Sequence, residues 1–352
     1  MGRWAVRLVV DTVAWGHGGK ENRVVVLVDD VRDDARVGVG ANAGACAGSD
    51  ALGVFPRSGL WGAWGGVRLY EGDAASVLAS FPEGSVDCVV TSPPYFNERD
   101  YHGGALEVGH EGTVAEYVER LASVFREVIR VLAVDGTCWV NIADKYVRDR
   151  GGSSLANIPA LLSEELKRDG WFLRNDIIWE KTRAIPDSAS NRCANRTEHV
   201  LFLTKSPRGY TYNLDAVRVP LAGSSVKRLA ADVEHEAGSA RAHDGRHVMR
   251  AVGDPNRGRN QRSIWRFCPS SDKNEHFAMF PPELPGKAIV TGCKQGGVVL
   301  DPFNGSGTTG VTARALGMSY IGIDLNPEYL SIARDKIATR DWDPALLRNV
   351  DC

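Results

Sequence analysis

Short apolar runs alternate with helix-like patterns along the chain after residue 62. Apolar runs of strand length occupy 67–70, 86–91, 137–143, 297–300 and 319–323. Helical spacing of apolar residues separates most of these runs from one another. This alternation is typical of an α/β fold with a mostly parallel sheet. We therefore expect a twisted Rossmann-like sheet with helices on both faces.

The clearest predicted helix begins at Thr113. Glu116 follows three residues later, and this spacing is that of a capping box, in which each side chain accepts a hydrogen bond from the other residue's backbone N–H. The apolar residues that follow share one helical face: Tyr117, Leu121, Val124, Phe125, Val128, Ile129 and Leu132. A second helix is predicted over 158–168, with Gly170 ending it.

Two parts of the chain lack this alternation. Residues 1–62 contain Val-rich fragments and a Gly- and Ala-rich stretch over 38–53 with almost no large apolar residues. We expect a poorly ordered or atypical N-terminal extension there and assign it no function. Between 222 and 266, nine Lys or Arg residues face five acidic ones, a local excess of four positive charges. Such an excess is typical of either a solvated loop or a phosphate-contacting surface.

The composition is that of a globular protein. Of 352 residues, 43% are hydrophobic and 24% are charged, and no apolar run approaches 18 residues. The first ten residues carry Arg3 and Arg7 and show no small-residue cleavage site, so we expect a cytoplasmic protein without membrane contact. The net charge of -2 means that any nucleic-acid surface must be local.

The cysteines favour neither disulfides nor a metal site. There are seven, an odd number, and they are scattered without a C-x-x-C pair. We expect reduced thiols and no bound metal.

A glycine-rich segment at 301–310 carries the first functional signal. It follows the apolar run 297–300 and precedes a predicted helix, and Gly305, Gly307 and Gly310 have G-x-G-x-x-G spacing. A turn of this kind lets a helix N-terminus offer its amides to an anionic group. Asp324, nineteen residues beyond Gly305, ends the next predicted strand and can accept both hydroxyls of a ribose diol. The segment therefore predicts an adenosine-containing cofactor and leaves the chemistry open.

The segment Thr91-Ser92-Pro93-Pro94-Tyr95 is more specific. It ends the apolar run 86–91, at the edge where open α/β sheets bind ligands. Consecutive prolines hold an extended path, which leaves the Ser92 hydroxyl and the Pro93 carbonyl free to accept hydrogen bonds from an amino group. An exocyclic base amine is a poor nucleophile, and two such acceptors favour its attack on a sulfonium methyl. Tyr95 would stack on the flipped base.

Together these segments resemble the beta class of DNA amino-methyltransferases, in which the catalytic half precedes the cofactor half. The resemblance spans about residues 64–340 and implies S-adenosyl-L-methionine as cofactor and double-stranded DNA as partner. It implies catalytic roles for Ser92, Pro93, Pro94 and Tyr95. It also implies a cofactor site of Asp73 near the adenine, Asp324 at the ribose, Phe280 packed against the cofactor, and a loop holding the methionine portion: Asp301, Phe303, Asn304, Gly305, Ser306, Gly307 and Thr308.

The resemblance also implies a division of the chain. We predict an N-terminal extension, a catalytic half, a target-recognition region, a cofactor-binding half and a C-terminal tail, over 1–62, 63–182, 183–266, 267–340 and 341–352 respectively. Candidates for DNA contact are the cations in or beside the recognition region: Lys181, Arg183, Arg192, Arg196, Arg257, Arg259 and Arg262. A role in restriction–modification or self-protection makes a cognate restriction endonuclease a candidate partner. The recognition sequence and the oligomeric state are left open.

Several functions remain to be distinguished. Within the family, serine at position 92 is mostly associated with the N4 amine of cytosine, and Asp or Asn with the N6 amine of adenine. We favour cytosine N4, with adenine N6, or a protein or RNA amide, as alternatives. The glycine spacing and Asp324 alone would also suit a nicotinamide-dependent oxidoreductase, and a non-catalytic DNA-binding regulator is a fourth class. Cytosine C5 methylation is disfavoured because the chain offers Cys268-Pro269 in place of a Pro-Cys nucleophile.

Overall fold

The computed structural model describes most of the chain and divides it into two compact units. The described residues are 5–15, 19–29, 52–98, 104–149, 151–183, 189–221, 223–224, 258–269 and 280–349. The first unit, Met1–Ala45, contains an antiparallel hairpin of β1 (Ala5–Trp15) and β2 (Gly19–Asp29). The sequence analysis did not predict this hairpin.

The second unit, Cys46–Cys352, begins earlier than the predicted boundary at residue 62. Leu52 and Phe55 are buried in its core, and the ring of Phe55 meets the edge of Phe81 at 5.0 Å between centroids. These two apolar residues are too few to stand out in the Gly- and Ala-rich sequence around them. The boundary therefore moves toward the N-terminus.

A nine-stranded sheet forms the centre of the second unit. Its spatial order is β11-β9-β10-β6-β5-β12-β13-β4-β3. The strands are β3 (Leu60–Trp64), β4 (Val67–Glu71), β5 (Val86–Thr91), β6 (Leu132–Ile142), β9 (Phe172–Lys181), β10 (Thr197–Thr204), β11 (Ile264–Phe267), β12 (Val298–Asp301) and β13 (Ser319–Asp324). Only β3 and β10 run against the others in this sheet. A separate hairpin joins β7 (Tyr146–Asp149) to β8 (Gly152–Leu155).

Helices cover both faces of the sheet, which confirms the predicted Rossmann-like fold. The helices are α1 (Ala74–Ala79), α2 (Val114–Val131), α3 (Ile158–Arg168), α4 (Glu283–Gly292), α5 (Thr308–Ala315) and α6 (Pro327–Thr339), with short 3-10 turns at Gly104–Leu106, Leu214–Val217 and Pro344–Asn349. The first three helices contribute to one apolar core and the last three to a second. The capping box at α2 is present, with Thr113 Oγ1 accepting from Glu116 N at 3.2 Å and Glu116 Oε2 accepting from Thr113 N at 2.9 Å.

The two motif-bearing strands lie side by side. β5 and β12 are parallel neighbours, with Val299 opposite Cys88 and Leu300 opposite Val89. Because parallel strands present their carboxyl ends at one edge of the sheet, the residues after Thr91 and those after Asp301 meet there. This adjacency brings together the two segments that carry functional signals.

Two predicted boundaries cut through packed structure. β10 falls inside the predicted target-recognition region, yet it lies between β6 and β9 in the sheet, and its apolar side chains are buried. The predicted C-terminal tail also packs onto the unit. Trp342 is buried, and a Cβ built at Gly286 would lie 2.4 Å from its ring. Both segments therefore pack within the second unit, through hydrophobic burial that the local sequence did not indicate.

Two expectations from composition concern thiols and membranes. The five cysteines that fall within the described ranges are free thiols. This agrees with the prediction that the cysteines are reduced. Among the helices that the structure describes, none is long and apolar enough to cross a membrane.

We predict that Gly310→Ala destabilises the protein because this glycine permits close packing of α5. A Cβ at position 310 would lie 2.4 Å from Ile337 Cδ1 and 2.6 Å from Tyr320 Cε1. Overpacking of this kind costs about 1–3 kcal/mol, to be measured by urea unfolding. The control is Gly223→Ala, where nothing lies within 4 Å of the added Cβ. Equal midpoints for the two variants would contradict the packing role of Gly310.

Candidate active site

One cavity joins the two motifs at the carboxyl ends of β4, β5, β12 and β13. It is lined by Ser92, Pro93, Pro94 and Tyr95 and by most of the predicted cofactor residues: Asp73, Phe280, Asp301, Phe303, Asn304, Gly305, Ser306, Thr308 and Asp324. Gly307 lies beside these residues, at the N-terminus of α5, and does not line the cavity. Thus both predicted residue sets share one site.

The carboxylate of Asp301 is a buried link between the motifs. Its Oδ1 accepts hydrogen bonds from Thr91 Oγ1 at 2.6 Å and from Phe303 N at 3.1 Å, and its Oδ2 accepts from Thr309 Oγ1 at 2.7 Å. Burial raises the pKa of Asp301 to about 6, and the hydrogen bonds from Thr91, Thr309 and Phe303 oppose that rise. The side chain therefore ties the cofactor-type loop to the end of β5.

Asp324 holds the other side of the same loop. Its Oδ2 accepts from Gly305 N at 2.7 Å and its Oδ1 from Asn326 N at 2.9 Å. Burial raises its pKa to about 6 against the two backbone hydrogen bonds. Each carboxylate oxygen has further acceptor capacity beyond one N–H, so this cavity-lining group can still receive hydroxyl donors.

The loop between these two acids depends on left-handed glycines and on Asn304. Gly305 has φ of +49° and Gly307 has φ of +80°, a region that favours glycine. Asn304 Oδ1 accepts from Tyr320 OH at 2.8 Å, and its Nδ2 donates to Gly305 O at 2.7 Å. The Asn304 amide therefore stabilises the loop itself as well as lining the cavity.

Asp73 lies at the start of α1, on the rim of the cavity. Its Oδ2 accepts from Ser76 N at 3.0 Å and from Ser76 Oγ at 2.8 Å, so it caps the helix. Arg120, on α2, pairs with Oδ1 at 3.0 Å. Arg120 carried no sequence signal, because its position on α2 gives no indication of which strand end it faces.

The catalytic-type tetrapeptide contacts a set of polar residues that the sequence analysis missed. Tyr117 OH donates to Pro94 O at 2.8 Å. Tyr95 OH donates to Glu198 Oε2 at 2.5 Å and accepts from Asn141 Nδ2 at 2.9 Å. Burial raises the pKa of Tyr95 well above its usual value, and the Glu198 charge raises it further, so this phenol stays protonated.

Asn141 and Glu198 reach the motif from two strands next to it. Asn141 is near the end of β6, the parallel neighbour of β5, and Glu198 is near the start of β10, which runs antiparallel to β6. An antiparallel strand begins at the edge where its neighbour ends, so both side chains contact Tyr95. Asn141, a polar residue within an apolar run, could have been noticed from the sequence. Glu198 offered no local signal, because its placement depends on the strand order.

The candidate DNA-contacting cations occupy varied positions. Lys181 forms an ion pair with Glu198 Oε1 at 2.5 Å, beside the tetrapeptide. Arg192 stacks on the ring of Tyr146 at 4.1 Å, and Arg196 donates to Thr182 O at 3.2 Å. The remaining described candidates are on the surface or half-buried, namely Arg183, Arg259 and Arg262. Arg257 lies outside the described residues. Their contacts with DNA stay predictions.

Comparison with known proteins shows which family the chain belongs to. A family model described as DNA methylase, of the N6/N4 methyltransferase kind, matches residues 86–335. The chain therefore belongs to this family, and the predicted resemblance to amino-methyltransferases of DNA is confirmed. The nicotinamide-dependent oxidoreductase is removed from the alternatives, since the glycine loop and Asp324 belong to a DNA methylase.

Individual relatives cover most of the chain. It is 36% identical over 301 residues to the type II methyltransferase M.Cfr9I of Citrobacter freundii, covering 78% of this chain and 89% of that protein. It is 31% identical to M.SmaI of Serratia marcescens, covering 78% and 91% of the two chains. These relatives are type II methyltransferases by name.

Solved structures agree on the fold. A putative DNA modification methylase from Thermus thermophilus, solved in complex with S-adenosyl-L-methionine, is 29% identical with a TM-score of 0.52, covering 77% of this chain and 92% of that one. The cytosine-N4-specific PvuII DNA methyltransferase has a TM-score of 0.56 at 20% identity, covering 81% and 90%. At that identity the likeness shows the fold alone.

We predict that Thr91→Val destabilises the protein, because the buried Asp301 carboxylate loses its shortest hydrogen bond. Asp301 Oδ1 then keeps only the longer hydrogen bond from Phe303 N, and removal of one partner of a buried charged acceptor costs about 1–3 kcal/mol. The matched control is Thr291→Val, also fully buried, whose hydroxyl donates at 2.6 Å to the helical carbonyl of Lys287. Chemical unfolding should show a larger loss for Thr91→Val, and a loss no larger than that of the control would contradict the role given to Thr91.

Proposed function

We propose that this DNA methyltransferase moves a methyl group from S-adenosyl-L-methionine to the N4 amine of a cytosine turned out of double-stranded DNA. The single observation that carries the proposal is that the Ser-Pro-Pro-Tyr segment and the two acids, Asp301 and Asp324, line one cavity. Family membership supports the reaction type, and the serine at position 92 supports cytosine as the base. A role in restriction–modification fits the type II relatives.

The residues of the cavity suit this cofactor. Asp324 retains acceptor capacity for a ribose diol, and the Gly305–Gly307 turn leads into α5, whose N-terminus attracts negative charge. Phe280 is buried at the cavity wall, where an apolar ring suits packing against a flat base. In this assignment Asp301 and the loop around Phe303 lie toward the methionine portion, and Asp73 lies toward the adenine. When bound, the cofactor supplies an electrophilic sulfonium methyl.

The protein's contribution to the chemistry is to orient the amine. The lone pair of an exocyclic amine is delocalised into the base, so the free amine is a weak nucleophile. Hydrogen bonds from its two N–H groups to Ser92 Oγ and the Pro93 carbonyl would favour a pyramidal nitrogen whose lone pair points toward the methyl group. The Tyr95 ring lines the same cavity and would stack on the base.

The choice of cytosine N4 rests on the neutral hydroxyl of Ser92. Cytosine carries ring acceptors at N3 and O2 close to its amine, and an aspartate at this position would repel them if the base shifted. A serine hydroxyl can accept from the amine without adding charge. Adenine N6 is the alternative that product analysis separates.

We predict that nucleoside analysis by mass spectrometry, after incubation of unmethylated DNA with the protein and S-adenosyl-L-methionine, detects 4-methylcytosine. Ser92→Ala should lower the yield about 100-fold or more, because an acceptor aimed at the reacting group is lost. Ser80→Ala, an exposed serine outside the cavity, is the control and should retain full activity. Detection of 6-methyladenine would overturn the base assignment, and detection of neither would overturn the proposal.

We also predict that affinity for S-adenosyl-L-homocysteine falls as the pH drops through about 6. Ribose hydroxyls bind the ionised carboxylate of Asp324 best, and in the free protein burial raises its pKa to about 6. Calorimetric titrations should therefore give a flat Kd between pH 7 and 8 and a rising Kd below pH 6. The Asp324→Asn variant should bind S-adenosyl-L-homocysteine weakly at pH 8. Its Kd should also lose the part of the pH dependence that comes from titration of the Asp324 carboxylate. A pH-independent Kd in the unaltered protein would contradict the assignment.

A further inference from the structure

We propose that Glu198 is a positioning residue that orients the Ser92 hydroxyl for the target amine, acting through Tyr95. This inference rests on the proposed amine methylation and adds a residue pair, Glu198 with Lys181, to the machinery of that site. Its basis is a continuous set of hydrogen bonds from the cavity wall to the ion pair between Glu198, which is buried, and Lys181, which is half-buried.

The carboxylate of Glu198 is fully engaged by donors. Oε2 accepts from Tyr95 OH at 2.5 Å and from Asn141 Nδ2 at 2.7 Å, while Oε1 pairs with Lys181 Nζ at 2.5 Å. The Glu198 side chain is 8% exposed and that of Lys181 is 28% exposed. A buried carboxylate with three donors is held in place.

The charge determines the direction of the hydrogen bonds. An ionised carboxylate only accepts, so Tyr95 must point its hydrogen at Glu198. The phenolic oxygen then acts as acceptor, and Ser92 Oγ lies 3.3 Å from it as donor. With its hydrogen directed toward Tyr95, Ser92 turns a lone pair toward the cavity, where an amine N–H needs an acceptor.

The reverse direction would oppose catalysis. If Tyr95 donated to Ser92 instead, the Ser92 hydrogen would point into the cavity and repel the amine hydrogens. The side chain of Asn141 supports the favourable direction, because its Nδ2 faces Glu198, Tyr95 and, at 3.4 Å, Ser92. A single negative charge at Glu198 thus fixes two hydroxyl hydrogens.

This arrangement gives Lys181 a different role from the predicted phosphate contact. Lys181 is the last residue of β9. Its ammonium pairs with Glu198 and lies 5.3 Å from the Trp179 ring centroid. It balances the buried charge that orients Tyr95. We expect Lys181→Met to leave the salt dependence of DNA affinity unchanged, whereas loss of a phosphate contact would flatten it.

Glu198→Gln tests the orientation directly. The amide has one acceptor oxygen for three donors. Lys181 would attract that oxygen, which leaves the NH2 group facing Tyr95. The hydrogen bonds from position 198 through Tyr95 to Ser92 would then run in the opposite direction. We expect the single-turnover rate of methyl transfer to fall about 10- to 100-fold, as is typical when a partner that orients a directly acting group is lost. The Kd values for S-adenosyl-L-homocysteine and DNA should change less than about twofold, because Glu198 is not among the residues that line the cavity.

Rescue by a second substitution separates orientation from simple structural support. In Lys181→Met/Glu198→Gln the amide oxygen is free to turn toward Tyr95 and Asn141, so we expect the double variant to transfer methyl groups faster than Glu198→Gln alone. Glu198→Asp keeps the charge and should retain more activity than Glu198→Gln. Glu180→Gln is the control, because Glu180, on the neighbouring strand β9, pairs with Arg266 at the surface. The rate of this variant should equal that of the unaltered protein.

The outcomes are distinct for this inference and for the proposed function. The rate is measured on whichever amino-methylated base the unaltered protein makes, so an error in the base assignment does not affect the comparison. If the unaltered protein methylates DNA and Glu198→Gln is within twofold of its rate, the inference is overturned and the proposed function stands. A double variant no faster than Glu198→Gln would overturn the inference as well. Absence of any methylated base overturns both.

Discussion

The hydrogen bond between Thr91 and Asp301 joins two residues that are 210 positions apart in the sequence. It exists because β5 and β12 are parallel neighbours at the centre of the sheet. One strand leads into the Ser-Pro-Pro-Tyr segment and the other into the glycine loop, so their pairing sets the separation between the two segments that line the cavity. Orientation of this kind supplies much of the rate enhancement that an enzyme can achieve by holding reactants together.

The site concentrates buried charge, and the fold compensates for each charge separately. Asp301 receives two hydroxyl donors and one amide, Asp324 receives two amides, and Glu198 receives a phenol, an amide and an ammonium. Without such donors, burial of a carboxylate is costly. Burial nevertheless raises the pKa of Asp301 and that of Asp324 to about 6, against these hydrogen bonds.

Sequence patterns predicted the parts of this molecule that depend on local order. The α2 capping box, the strand ending at Thr91 and the glycine turn at Gly305 follow from the spacing of neighbouring residues. Residues brought in by strand order were missed, since Glu198 reaches Tyr95 only because β10 runs antiparallel beside β6. For the same reason the sequence did not indicate that Lys181 pairs with Glu198. Burial of Trp342 depends on the small Gly286 opposite it, which no local pattern indicates.

The most direct test of this account is a crystal structure of the protein with a non-reactive cofactor analogue and DNA containing its target site. The account predicts a flipped cytosine whose N4 amine donates to Ser92 Oγ and to the Pro93 carbonyl, about 3 Å from each. It also predicts a ribose diol on Asp324 and the Ser92 hydroxyl directed at Tyr95. A target amine held by other groups, or a cofactor bound outside the cavity between β5 and β12, would contradict it.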